Sequence, residues 1–171
     1  MTSLAAFPYA CHVREISRPL WPAFEKVFSP HIGLDEPSCD EDARLEISVV
    51  FTSIKATLHA LRKAGEMADD LNAWIVLVFP QIVPFPLPLT SPPVLLDFRE
   101  SFLRAIAAKG QVETTVRIYL CRDREEALSM VLKPRSLVVL GSRKRWWPTA
   151  ERRLAKKLRR CGHEVIISDV E

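Results

Sequence analysis

The sequence predicts a doubly wound α/β domain, with a five-stranded, mostly parallel sheet and helices on both faces. Three observations predict it. Short runs rich in β-branched residues recur, "RLEISVVF", "AWIVLVF", "VETTVRIYL", "SLVVL" and "HEVIIS", and read as buried strands. Between them lie segments whose apolar residues repeat at helical spacing. The two kinds alternate as βαβαβαβαβ from Arg44 onward, which implies parallel strands joined by right-handed crossovers.

Each element has its own signals. "KATLHALRKAGEMADDL" places Leu58, Leu61, Ala64, Ala68 and Leu71 on one helical face. Residues 80–93, "PQIVPFPLPLTSPP", hold six prolines and are expected to form a long, stiff connection. "VLLDFRESFLRAIAAKG" puts Leu95, Phe98, Phe102 and Ile106 on one side of a helix that stops at Gly110. "REEALSMVL" is a short helix closed by Pro134. "TAERRLAKKLRR" carries a stripe at Ala150, Leu154, Leu158 and Cys161, with Thr149 as N-cap and Gly162 beyond the end.

Residues 1–43 are expected to be an N-terminal extension with an acidic linker, and residues 44–171 the α/β domain. Trp21, Phe24, Val27 and Phe28 recur at helical spacing, which predicts a short helix over 21–28.

Composition narrows the function. With 48% hydrophobic and 26% charged residues, the chain falls in the ordinary globular range. The apolar run at 73–89 is interrupted by prolines, so it does not read as a membrane span. "MTSLAAFPYACHVREI" has no basic leading segment and no sustained apolar core, so no secretory signal is expected and a cytoplasmic location is. The four cysteines, Cys11, Cys39, Cys121 and Cys161, are far apart in sequence, and neither a disulfide framework nor a metal site is expected. No Ser-His-Asp, Cys-His or paired-carboxylate grouping converges on one loop, so an enzyme is not expected.

Charge is uneven. From Lys133 to Arg160 there are eleven Lys or Arg residues and one acid, Glu151. The cations of the last helix occupy the arc left by its apolar stripe, which is how a solvated face looks. Nucleic-acid binding is therefore not expected. Trp146 and Trp147, at the start of this basic segment, are a candidate protein contact or a satellite of the core beneath the extension.

In doubly wound sheets ligands bind beyond the carboxyl ends of the strands where strand order reverses. Here that points to the loops after the first and fourth strands of the domain. The same junctions carry a family resemblance. "VVFTSIKATLHALRKAGEMADDLNAWIVLVF", "SLVVLGSR" and "LAKKLRRCGHEVIIS" resemble the universal stress protein family, over roughly residues 46–169. Nucleotide-binding members of that family have an aspartate after the first strand and a glycine-rich phosphate loop after the fourth. In this chain the aspartate position falls on Thr52, followed by Ser53. Gly141 and Ser142 match the start of the loop, while the second glycine position falls on Lys144, followed by Arg145. The later Gly-Ser position falls on Arg152 and Arg153.

The resemblance thus implies a regulatory or protein-interaction domain with a lost or rebuilt nucleotide site and no cofactor. The alternative is a module that still holds ATP, another nucleotide or an anion through Thr52, Ser53, Gly141, Ser142, Lys144, Arg145, Arg152 and Arg153. It also implies a homodimer through the final strand, whose unpaired edge would otherwise invite aggregation.

Overall fold

A computed structural model describes residues 25–28 (backbone only), 45–89, 92–110, 113–143 and 149–170. The elements are β1 (Glu25–Phe28), β2 (Glu46–Val50), α1 (Ile54–Leu71), β3 (Trp74–Ile82) and α2 (Leu96–Lys109). They continue with β4 (Thr114–Cys121), α3 (Arg124–Val131), β5 (Leu137–Arg143), α4 (Ala150–Arg160) and β6 (Glu164–Val170). The strands form one sheet in the order β1-β4-β3-β2-β5-β6. β2 to β6 are the five parallel strands expected from the sequence.

Period-two alternation splits the strands between two cores. Ile47, Val49, Ile75, Leu77, Val116 and Val139 face one side, against Leu61 and Ala64 of α1 and Leu103 and Ile106 of α2. Val50, Val76, Val78, Val138 and Leu140 face the other, against Leu128 of α3 and Leu154 and Leu158 of α4. The chain winds from β2 to β3 to β4, then crosses back to β5 on the far side of β2. The strand order therefore reverses between β2 and β5.

Four local expectations are corrected. Glu25–Phe28 is a strand, not part of a helix; it pairs antiparallel with the outer edge of β4, Glu25 opposite Tyr119 and Phe28 opposite Val116. An open edge beside "EKVF" outweighs helical spacing carried by a few aromatic residues. β3 runs on through Pro80 to Ile82 into the stretch expected to be all connection. In α2 the buried residues are Leu103, Ile106 and Ala107, whereas Leu95 and Phe98 are exposed. In α4 they are Leu154, Ala155 and Leu158, while Ala150 and Cys161 are exposed.

Pro80 fits because β2 has ended where it falls. Val50 is opposite Val78, and Phe51 N–H still donates to Val78 O at 3.0 Å. In a parallel ladder the reciprocal donor to Phe51 O would be the N–H of residue 80, which proline lacks. Arg124 Nη2 supplies it instead, at 2.5 Å. An arginine from the start of α3 thus completes the end of β2, directly before Thr52 and Ser53.

The caps follow local chemistry. Asp123 accepts from Glu126 N at 2.7 Å at the start of α3, and Thr149 accepts from Arg152 N at 3.4 Å at the start of α4. Asn72 takes the left-handed turn after α1 with φ 48°. No helix among the described residues is long and apolar enough to cross a membrane.

Candidate functional site

The ends of β2 and β5 lie side by side, and the helices that follow them, α1 and α4, pack on opposite faces of the sheet. A cavity of about 360 Å³ opens there, lined by Ser53, Ala56, Gly141, Arg143, Thr149 and Glu151, with Ala150. Ser53 is the N-cap residue of α1 by backbone shape, makes no side-chain cap bond, and is one of the residues that line the cavity.

Thr52 is tied across the reversal point. Its Oγ1 donates to Gly141 O at 2.9 Å, and its N–H donates to Thr57 Oγ1 at 3.2 Å. The hydroxyl thereby links the ends of β2 and β5. Gly141 is constrained from the other side. A Cβ placed on it would lie 2.1 Å from Ala56 O and 2.4 Å from Ala56 C. The first turn of α1 therefore rests on the backbone of β5, and only glycine allows that approach. Ser142 is buried, and its Oγ lies 3.4 Å from Thr149 Oγ1 and donates to Arg143 O at 3.3 Å.

Of the eight residues expected at the site, Thr52, Ser53, Gly141 and Ser142 converge. Lys144 and Arg145 lie outside the described residues, as do Trp146 and Trp147. Arg152 and Arg153 are exposed on α4, and Arg152 Nη2 lies 3.4 Å from Asp169 Oδ2 of β6. Arg143 and Glu151 were not among the candidates, yet both line the cavity. Arg143 follows Gly141-Ser142 directly, which is a signal the sequence contained. Glu151 is the lone acid of the basic segment, and charge counting alone gives it no position. A single cation and a single acid leave the described lining close to neutral.

Arg124 is the other residue the sequence did not flag. Burial lowers its guanidinium below the ordinary value, with Glu151 the first neighbour to oppose that shift. Cys121, at the end of β4, has its thiol pushed up to about 11, by burial first and by Asp123 second. Burial thus favours its neutral thiol, packed as a small apolar side chain. Burial lowers the pKa of His163 below the ordinary imidazole value, and its Nδ1 lies 3.0 Å from Ser136 Oγ. His59 is exposed on α1, and its Nδ1 lies 2.6 Å from Ser168 Oγ of β6. Among the described residues no group of His, Cys, Asp and Glu could hold a metal ion.

Fold and site together define the chain as a doubly wound α/β domain with a small, mixed-charge cavity at its reversal point. No protein-family model matches the sequence, and no curated protein matches it. Among solved structures the chain is similar to a universal stress protein from Burkholderia pseudomallei, at 25% identity and a TM-score of 0.45, over 71% of this chain and 93% of that one. It is similar to a universal stress protein in complex with cAMP, at 19% identity and a TM-score of 0.49, over 73% and 97% of the two chains. A third likeness is to a universal stress protein from Archaeoglobus fulgidus, at 17% identity and a TM-score of 0.47, over 72% and 92%. All three carry the family name that the sequence resembles.

Proposed function

We propose that this chain is a universal stress protein-like regulatory or protein-interaction domain, without catalytic activity, whose nucleotide site has been rebuilt. The observation that carries the reading is the 2.9 Å bond from Thr52 Oγ1 to Gly141 O. At the position where nucleotide-binding relatives would offer a carboxylate, this chain has a neutral hydroxyl already turned inward on its own backbone. The opposite charges of Arg143 and Glu151 support the same reading, since an acid beside the cation opposes its pull on a polyphosphate.

Thermal unfolding with 1 mM ATP or cAMP tests it. The expected shift is below about 1 °C. A ligand with a Kd near 10 μM would add on the order of 2.7 kcal/mol at that concentration, or several degrees for a chain of this size. A shift of that kind, lost on replacing Arg143 by methionine, would establish the second reading instead. That reading is a nucleotide or anion module, and the observation in its favour is the cavity itself, where Ser53, Thr149 and Arg143 leave room for a small anion.

The proposed setting is cytoplasmic and the proposed assembly a homodimer through β6. Among the described strands β6 pairs on one side only, with β5, and a second copy would complete the other edge. Light scattering across a hundredfold dilution is expected to read twice the chain mass, and a constant monomer mass rules the dimer out. A protein contact at Trp146 and Trp147 is part of the same proposal.

A further inference from the structure

Nine large hydrophobic side chains are exposed among the described residues, and five of them fall between residues 82 and 98: Ile82, Phe85, Leu87, Leu95 and Phe98. Scattered exposed hydrophobics are ordinary, but here five fall within one short stretch that joins the end of β3 to the first turn of α2. The exposure is large: 79% for Phe85, 77% for Leu95 and 66% for Phe98.

The surface is held in shape from within. Arg122 Nη1 and Nη2 donate to Val83 O and Leu87 O, both at 2.6 Å. Its guanidinium also lies 4.1 Å from the centre of the Phe85 ring. Gln81 Nε2 donates to Val94 O at 3.3 Å, which ties the end of β3 to the approach to α2. The proline-rich loop and the first turn of α2 are thus fastened to the sheet with apolar side chains turned outward.

The register of β1 bears on what could cover this surface. β1 is antiparallel to β4 with Glu25 opposite Tyr119, so the chain before Glu25 enters the sheet from the end of β4. That end is Cys121, followed by Arg122, the residue that pins the loop. The preceding residues, "MTSLAAFPYACHVREISRPLWPAF", carry only three charged side chains, Arg14, Glu15 and Arg18. Phe7, Leu20, Trp21 and Phe24 are among their apolar ones.

We propose that residues 1–24 dock on the surface formed by Phe85, Leu87, Leu95 and Phe98, as an intramolecular cover. A tether at β1 gives the segment an effective concentration on the order of millimolar there, so modest apolar burial suffices to hold it.

Limited trypsin digestion of the full chain tests this. Arg14 offers a cleavable bond inside the segment, whereas Arg18 is followed by proline. Cleavage after Arg14, followed by mass spectrometry, is expected to be at least tenfold faster in Phe85→Ser/Phe98→Ser than in the unaltered chain. Both side chains are exposed, so the circular dichroism spectrum should be unchanged. Should the double variant lose it, Leu95→Ser alone carries the test, with an expected acceleration of about threefold. Equal cleavage rates overturn the proposal. So does protection in the unaltered chain that fades on dilution, because a second copy and not the chain's own segment would then be the cover.

Discussion

Gly141→Ala is expected to destabilise the protein by about 3 kcal/mol, at the upper end of what overpacking costs. In urea this is a lower midpoint, and on heating a fall in Tm of roughly 6–12 °C for a domain of this length. The magnitude follows from what the new methyl group meets. Its nearest neighbours would be the carbonyl oxygen of Ala56 at 2.1 Å and the carbonyl carbon at 2.4 Å. Both are backbone, so no rotamer change relieves the overlap and the first turn of α1 must lift from β5. Lifting it also stretches the Thr52–Gly141 bond, which depends on the same close approach. Ala56→Gly removes only the Cβ at 2.9 Å and leaves the carbonyl, so it should not rescue the variant. A loss under about 1 kcal/mol would show that α1 is free to shift at little cost, and would remove the steric account of this glycine.

Gly141 also shows how much the sequence could say. Its place, at the end of a buried strand and the start of a site loop, was legible from "SLVVLGSR". Its reason was not. The sequence suggested a glycine kept for close approach to a phosphate, while the structure shows one required by the backbone of Ala56. The two demands leave the same residue, and only the neighbour across the sheet tells them apart.

The parallel strands and the helices between them were legible because their periodicity is dictated by burial within a few residues. β1 was not, because its strand form is set by the free edge of β4, almost a hundred residues away in sequence. Phe98 was misplaced for a related reason. It repeats correctly with Phe102 and Ile106, but α2 covers the sheet only from its second turn onward, with Leu103, Ile106 and Ala107 buried. At the site, Thr52, Ser53, Gly141 and Ser142 could be found from the order of elements alone. Arg124 could not. Its role exists because Pro80 withholds one hydrogen bond from Phe51, and that requires knowing that β2 and β3 are neighbours in register.

The buried charge at the opposite end of the sheet carries the second large effect. Glu46→Gln is expected to cost about 2 kcal/mol in urea unfolding at neutral pH. Glu46 opens β2 and is buried, with Oε2 3.1 Å from Lys133 Nζ and 3.5 Å from Arg117 Nη1. Both cations also lie over the Trp74 ring, at 5.8 Å for Lys133 and 5.4 Å for Arg117. Removing one partner of a fully buried ion pair costs about 3–5 kcal/mol, because the remaining charge loses its counter-ion in a poorly solvated place. The figure is reduced here because the Lys133 side chain is 48% exposed and water screens part of its charge. Contrast fixes the interpretation. Lys157 and Glu125 are closer still, at 2.9 Å, but both side chains are nearly half exposed, so Glu125→Gln should cost no more than about 0.5 kcal/mol. Adding Lys133→Met to Glu46→Gln should recover part of the loss, since the double variant no longer holds that cation over Trp74 without the carboxylate. If the two single variants prove equally mild, burial does not strengthen the Glu46 cluster. The start of β2 is then held by its ladder alone, through pairs such as Glu46 with Trp74 and Ile47 with Leu137.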